Sequence, residues 1–295
     1  MICKTAVIAV TGPPNAGKST LVNTLVGEKV AIVTPKPQTT RTRIMGVANT
    51  DETQFVLIDT PGFHKARTVL GEYMLSVVRR SITGADGVVF LIEPGTEPGE
   101  REKELIVKIS ESKIPCVLAV NKIDTVRKEA LLPVIESYSA IYEWSAVVPI
   151  SAKRKDGIDV LKSELEKFAE EGPPLFPDGM ITDQPESRLF AEILREKLLY
   201  CLDKEVPHGI ATEISGFSER ENGIIDLSIM IYCEKRSHKG IIIGKNGAVL
   251  KRAGELARCE IESFTGAKVF LQTHVKVKEN WRDSKTILRS FGFGE

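Results

Sequence analysis

Long apolar runs are missing from this 295-residue chain. No stretch approaches the roughly 18 residues a membrane-crossing helix needs, so a chain threaded through a bilayer is not expected. Cysteine is scarce as well. Cys3, Cys116, Cys201, Cys233 and Cys259 are scattered, odd in number, and form no Cys-x-x-Cys pair or Cys/His spacing, which argues against a disulfide framework or a zinc site and fits a reducing cytosol. Net charge is absent too: 40 Lys and Arg balance 40 Asp and Glu, and 42% apolar residues exclude a disordered polyelectrolyte. The opening Met-Ile-Cys-Lys shows no charged leader followed by an apolar core and cleavage site, so secretion is not expected. Repeats and low-complexity tracts are likewise lacking, and His208, His238 and His274 are spaced neither as metal ligands nor as partners of a nucleophile.

The zero net charge conceals an asymmetry. Residues 234–295 hold 13 Lys/Arg against 7 Asp/Glu, a surplus of six positive charges, which leaves the preceding residues with 27 against 33 and a matching deficit. One end of the chain suits a polyanion.

Length itself favours two domains, at roughly 150 residues each. In the first half, short apolar runs at residues 5–10, 54–58, 87–92, 115–120 and 146–150 alternate with amphipathic stretches at 70–82, 99–111, 130–141 and 157–170. Buried strands alternating with helices predict a largely parallel α/β sheet covered on both faces, with ligands at the carboxyl ends of the strands. The alternation stops at a Pro/Gly-rich stretch, residues 171–179, that cannot continue a helix. Beyond it the order predicted is helix (185–202), strand (210–218), strand (224–233), a glycine-bearing helix pair (236–263) and strand (267–277), an α+β module. The organisation expected is a first domain over 1–171, a linker over 172–185, a second domain over 186–282 and a tail over 283–295.

Four motifs in the first domain point to one ligand. Gly12-Pro13-Pro14-Asn15-Ala16-Gly17-Lys18-Ser19 lies between a predicted strand and helix. Two glycines let the backbone fold its N–H groups around a polyphosphate, Lys18 would reach the β and γ phosphates, and Ser19 would hold Mg²⁺. Asp59-Thr60-Pro61-Gly62 follows the run ending at Ile58, where a carboxylate can take a water on Mg²⁺ and a glycine N–H can meet the γ-phosphate. Asn121-Lys122-Ile123-Asp124 supplies a carboxylate able to accept both N1–H and the 2-amino group of guanine, donors that adenine lacks. Ser151-Ala152-Lys153 offers a backbone N–H to the guanine O6 and an aliphatic lysine stem to the ring. The polar, proline-bearing residues 34–41 read as a mobile loop from which a hydroxyl, Thr40 in preference to Thr39, caps Mg²⁺ in the triphosphate state. Catalytic contacts are therefore expected from Lys18, Thr40 and Gly62, and metal contacts from Ser19, Thr40 and Asp59. Where many small GTPases place a water-orienting glutamine, Phe63 and His64 stand instead, which predicts slow intrinsic turnover.

In the second domain, Gly244-Lys245-Asn246-Gly247 follows Gly240-Ile241-Ile242-Ile243 and precedes a helix with Lys251 and Arg252. A small glycine loop between two helices, with a lysine at its tip, can clamp about four nucleotides in the manner of a KH domain. Ile241, Ile242 and Ile243 read either as core or as groove lining. Lys239, Lys245, Lys251 and Arg252 would meet phosphate, Lys278 extends the basic run, and Trp281 either packs or stacks on a base.

Taken in order, Gly-Pro-Pro-Asn-Ala-Gly-Lys-Ser-Thr (ending at Thr20), Pro-Gln-Thr-Thr-Arg, Asp-Thr-Pro-Gly-Phe-His, Asn-Lys-Ile-Asp, Ser-Ala-Lys and Gly-Ile-Ile-Ile-Gly-Lys-Asn-Gly resemble the Era family of bacterial GTPases over nearly the whole chain. The resemblance implies an α/β P-loop GTPase domain, its mostly parallel sheet flanked by helices on both faces, followed by an α+β type II KH domain. It implies GTP/GDP and Mg²⁺ as ligands, a potassium ion coordinated with help from Asn15, and binding to the 3′ end of small-subunit ribosomal RNA during 30S assembly, with no DNA partner. A cytoplasmic location is expected, with peripheral inner-membrane contact known among related GTPases although no dedicated amphipathic anchor is visible. Rival readings are an RNA chaperone for which hydrolysis is incidental, and a P-loop kinase or ATPase. Oligomeric state is left open.

Overall fold

Period-2 and period-3.6 apolar patterns sort the chain into strands and helices, and burial sorts them into layers. The computed structural model describes residues 2–63, 65–95, 97–204 and 206–293; His64, one of the two residues replacing the usual glutamine, falls outside the described residues. These residues divide into two compact units: one runs to Asp183 except for Thr68–Leu70, which group with the second, starting at Gln184.

In the first unit the chain runs β1 (Lys4–Thr11), α1 (Lys18–Val26), β2 (Ile44–Asn49), β3 (Thr53–Asp59), α2 (Val69–Thr83), β4 (Gly87–Ile92), α3 (Glu100–Ser112), β5 (Cys116–Val120), α4 (Leu131–Ser139), β6 (Ala146–Pro149), α5 (Ile158–Glu166) and the two-residue β7 (Glu170–Glu171). The sheet order is β2-β3-β1-β4-β5-β6, parallel except for β2 against β3 and β7 against the start of β1. Central β4 is buried on both faces, Val88 to Ile92 all without solvent contact, which is why its sequence is a continuous apolar run. Alternate residues serve opposite layers. Val89 and Leu91 pack with Leu21 and Leu25 of α1 and Ile158 and Leu161 of α5, while Val88, Phe90 and Ile92 meet Val78 of α2, Ile106 of α3 and Val134 of α4. The parallel sheet with helices on both faces stands as expected.

Two local features were not read from the sequence. Strand β2 has a short mixed sequence, Ile-Met-Gly-Val-Ala-Asn, that shows no alternation, yet it pairs over its whole length with β3. Residues 172–183, expected as linker, are hydrogen-bonded along the first unit. The Gln54 amide bonds both the N–H and the carbonyl of Phe176, Val47 N–H donates to the Ile181 carbonyl, and Thr182 Oγ1 donates to the Met45 carbonyl. This strap covers the otherwise open edge of β2.

The second unit runs α6 (Glu186–Cys201), β8 (Ala211–Glu219), β9 (Ile225–Cys233), α7 (Arg236–Ile243), α8 (Ala248–Thr265), β10 (Val269–Val277) and α9 (Lys285–Ser290). Its three-stranded sheet has the order β10-β9-β8, with β9 parallel to β10 and antiparallel to β8. Alternation is clean in β9: Ile225, Leu227, Ile229, Ile231 and Cys233 face a core shared with Phe190, Leu194 and Leu198 of α6 and Ala253, Ala257 and Ile261 of α8. The helix-strand-strand-helix-helix-strand order is the one expected. The C-terminal segment forms α9, with Leu288 buried and Phe291 against Tyr232 and Trp281.

Candidate functional site

The first candidate site lies at the carboxyl end of β1. After Thr11 the chain turns sharply through residues 12–17 into α1. Gly12 has φ of 140° and its missing Cβ would stand 2.2 Å from the Leu91 carbonyl oxygen, so no other residue fits between β1 and β4 there. Asn15 is also left-handed, at φ of 64°, and its amide Nδ2 donates to the Pro35 carbonyl of the 34–41 loop over 3.0 Å. Lys18 folds back over the turn, its Nζ donating to the carbonyls of Pro13 at 2.7 Å and Gly12 at 3.3 Å. Burial lowers its pKa to about 8 against the attraction of Asp59 and Glu93. A buried ammonium beside an uncapped helix N-terminus is a strong anion attractor. Thr20 is half-buried in the first turn of α1, and Ala16 is fully buried.

Three oxygens converge next to it. Ser19 Oγ donates to Asp59 Oδ2 at 2.7 Å, Thr40 Oγ1 donates to the same oxygen at 3.1 Å, and the two hydroxyls stand 2.9 Å apart. Thr39 turns away, bonding Thr34 and the Lys36 carbonyl. Asp59 is wholly buried, and its Oδ1 has no hydrogen-bond partner. Burial pushes its carboxyl up to about 6, opposed by the Ser19 hydrogen bond, the Lys18 charge and the Thr40 hydrogen bond. An uncompensated carboxylate oxygen among hydroxyls is a hard donor set, fitted to a small divalent cation that keeps several waters, as Mg²⁺ does. Among the described residues no group of three or more His, Cys, Asp or Glu side chains assembles, so softer metals find no cage.

Gly62 passes close to the phosphate loop: a Cβ there would be 2.9 Å from Pro14 Cα. Phe63 donates its N–H to the Gly12 carbonyl, and its buried ring lies 5.6 Å from the Lys108 ammonium.

The two loops expected to meet the base, residues 121–124 and 151–153, are cross-braced. Asn121 donates Nδ2 to the Ala16 carbonyl at 2.7 Å and accepts the Ala152 N–H at 2.9 Å, so it ties the phosphate loop to residues 151–153. Thr24 of α1 donates to the Ala152 carbonyl. Asp124 accepts Ser151 Oγ on Oδ1 at 2.6 Å and meets Arg154 Nε from Oδ2 at 3.4 Å. The Ser151 hydrogen bond, with help from neighbouring cations, holds its carboxyl below the usual value, and hence ionised. Lys122 pairs with Glu93 at 2.6 Å, and Lys153 is exposed. Sequence reasoning missed Thr24, Glu93, Arg154 and the hydroxyl of Ser151, because these contacts depend on which strand ends are neighbours.

A second site lies in the other unit. Helix α7 ends at Ile243, Gly244 turns the chain at φ of 74°, and α8 starts at Ala248. Beside this turn lies a groove of about 450 Å³ lined by Asn246, Gly247, Leu250, Lys251, Gly254, Glu255, Arg258, Leu271 and Thr273. Lys239, Gly240, Lys245 and Arg252 are exposed nearby in the chain; Ile242 is buried in the core, Ile243 half-buried and Ile241 half-exposed.

Two residues expected here lie elsewhere. Trp281 has no solvent exposure: its indole N–H donates to the Gly209 carbonyl at 2.9 Å and its ring packs on Phe291, so it is core and not a stacking platform. The Lys278 ammonium sits over the rings of Tyr232 and Phe291. Strand alternation puts Tyr232 on the sheet face opposite the core, whereas Leu271 and Thr273 of β10 line the groove, so Lys278 is not a groove residue.

Fold and sites together define a P-loop GTPase domain joined to a KH module. A family model described as 50S ribosome-binding GTPase matches residues 7–122, and a KH domain model matches residues 205–282. GTPase Era of Ruminiclostridium cellulolyticum is 48% identical over 99% of this chain and 98% of its own length; that of Alkaliphilus metalliredigens is 46% identical over 99% and 100%. Two solved structures cover 99% of this chain and 100% of their own. One is Era in complex with MgGDPNP and nucleotides 1506–1542 of 16S ribosomal RNA (TM-score 0.96, 36% identity), the other an Aquifex aeolicus Era bound to GDP and aluminium fluoride (TM-score 0.95, 37% identity). The chain belongs to the Era family of GTPases, enzymes that hydrolyse GTP.

Proposed function

We propose that this protein binds the 3′ end of small-subunit ribosomal RNA in its KH groove, assists assembly of the 30S subunit, and has its RNA affinity gated by the nucleotide in its P-loop. The observation that carries the reading is the convergence of the Ser19 and Thr40 hydroxyls on the buried Asp59 carboxylate, whose other oxygen is unsatisfied, since Thr40 comes from a loop that a triphosphate would order. The relative solved with MgGDPNP and 16S RNA supports the pairing of the two ligands.

In this reading Lys18 exchanges the Pro13 and Gly12 carbonyls for β and γ phosphate oxygens, neutralising charge that develops there. Gly62 brings its N–H to the γ-phosphate. Ser19, Thr40 and Asp59 would hold Mg²⁺, which when bound would supply positive charge to the same oxygens. Asp124, kept ionised and aimed by Ser151, accepts from the guanine edge. Phe63 has no side-chain hydrogen-bonding atom, so no side chain at that position orients the attacking water and intrinsic turnover is slow. Asn15 commits Nδ2 to Pro35, and its carbonyl oxygen would help hold a potassium ion that adds positive charge at the phosphates; equal rates in potassium and sodium buffers would remove that role.

Gating has a route through chain continuity and hydrogen bonds. Residues 40–43 run directly into β2, β2 is bonded to residues 181 and 182 of the strap, and the strap leads into α6. In the groove, Lys251 and Arg258 supply positive charge to phosphates while Leu250 and Leu271 offer apolar surface to an unstacked base. We place the protein in the cytoplasm; no helix among the described residues is long and apolar enough to cross a membrane, and any inner-membrane contact is peripheral.

The test is binding of fluorescent small-subunit 3′-end oligonucleotides with a GTP analogue, GDP or no nucleotide, using wild type and the double variant Gly244→Asp/Gly247→Asp. Nucleotide-dependent binding that disappears in the double variant is expected; binding indifferent to both overturns the gated clamp.

A further inference from the structure

One acidic side chain stands within the group of cations around the nucleotide site without a part in the motifs above. Glu93 follows Ile92, the last residue of β4, and its Oε1 lies 2.6 Å from Nζ of Lys122. The two residues spring from bonded neighbours. Ile92 pairs with Val120 across the β4–β5 ladder, and the Asn121 N–H donates to the Ile92 carbonyl at 2.8 Å, so the chain reaches Glu93 and Lys122 from adjoining strand ends. Lys122 has a left-handed backbone at φ of 63° between Asn121, which is locked at both ends of its amide, and the 3₁₀ turn that carries Asp124. Its backbone is therefore set by its neighbours, while its long side chain is set by Glu93.

A lysine in a purine-contacting loop can lay its aliphatic stem on the flat face of the ring while its ammonium reaches water or a polar partner beyond the ring. A freely rotating stem would have to be ordered each time a nucleotide binds; a stem already tied at its tip is preorganised. We propose that Glu93 is a positioning residue for guanine nucleotides, anchoring the Lys122 ammonium so that its stem is held ready for the base. This rests on residues 121–124 being the base loop. Both side chains are about one-third exposed, so the pair is partly screened and the effect is moderate. Glu93 also faces the phosphate end electrostatically, since its charge acts on Lys18. Lys122 therefore neutralises a carboxylate that would otherwise repel the polyphosphate, and removing Glu93 has opposite consequences with and without Lys122.

Equilibrium binding of fluorescent GDP, GTP analogue and inosine diphosphate, all with Mg²⁺, is measured for wild type, Glu93→Ala, Lys122→Met, the double variant, and Asp124→Asn as the test of the base loop. Glu93→Ala is expected to weaken guanine and inosine nucleotides alike by about two- to fivefold, raising KM for GTP while kcat holds, because the ring face and not its substituents is affected. In the Lys122→Met background the same change should cause no weakening. Thermal unfolding without nucleotide separates this from a general loss of folding. Wild-type affinity in Glu93→Ala, or an equal loss in both backgrounds, overturns the positioning role. Unchanged guanine preference in Asp124→Asn would instead overturn the base-loop assignment, so the two failures are told apart.

Discussion

At the scale of single residues, burial and charge oppose each other around Asp59. A carboxyl whose folded-state pKa is raised from 3.8 to about 6 holds its proton more tightly folded than unfolded. Its cost to stability is therefore absent below pH 4, grows as pH rises through 6, and is full at neutral pH, where a shift of about two units corresponds to roughly 3 kcal/mol. Asp59→Asn should accordingly stabilise the protein freed of nucleotide and Mg²⁺ at pH 7.5, by about 1–3 kcal/mol in thermal or urea unfolding, with the gain fading towards pH 4. The same variant should lose Mg²⁺-dependent GTP affinity by at least about tenfold, since the hard anionic donor is gone. A destabilised variant at pH 7.5 would contradict the assignment of strain to this carboxylate. Residues of this kind were legible from sequence because their spacing from strand ends is short and local: Lys18 and Ser19 follow β1, and Asp59 ends β3. Thr40 could be preferred over Thr39 but not placed, since only the folded loop puts one hydroxyl on Asp59 and turns the other to Thr34. Trp281 was open between core and platform; the Gly209 carbonyl that receives its indole lies 72 residues away in sequence.

Among the elements, the strap over residues 172–183 changes what a proline-rich segment means here. Prolines 173, 174 and 177 end α-helical structure but leave an extended chain able to lie along an edge strand. What holds it is Gln54, buried on β3, whose amide satisfies both polar groups of the Phe176 peptide. Gln54→Leu keeps the volume and leaves that peptide without its partners, at a cost of about 1–3 kcal/mol. Limited proteolysis should then cut within 172–183 faster than in wild type, with the first unit also unfolding earlier. Protection unchanged from wild type would mean the strap is held by other contacts. The sequence could not announce this element, because a strap has no periodicity of its own and its hydrogen bonds go to strands more than a hundred residues earlier. Strand β2 escaped for a related reason: its pairing with β3 is set by the partner and not by alternation. The long buried strands and amphipathic helices were legible, since each carries its burial pattern in its own residues.

For the whole molecule, the charge asymmetry is the property with a bulk consequence. The positive surplus of residues 234–295 stands at the end of a neutral chain, so the RNA binding proposed above is expected to rest on that part and to be salt-dependent. Each phosphate contact contributes about 0.7 to the slope of log affinity against log salt for a single strand. Lys251→Gln, in the groove, is expected to flatten the slope by about that amount, whereas Lys278→Gln should leave it nearly unchanged because its ammonium sits on Tyr232 and Phe291. Equal effects of the two would contradict the placement of the RNA path. The sequence by itself determined the class of fold and the class of enzyme, and it singled out the candidate phosphate, metal and base residues. All of these follow from contiguous motifs whose backbone conformation and spacing are local matters. Only the tertiary structure decided which hydroxyl reaches Asp59, that Glu93 and Arg154 pair with Lys122 and Asp124, that a linker is a strap, and that Trp281 is core. Each of these depends on the meeting of chain segments far apart in sequence, which is settled by packing and not by the local pattern.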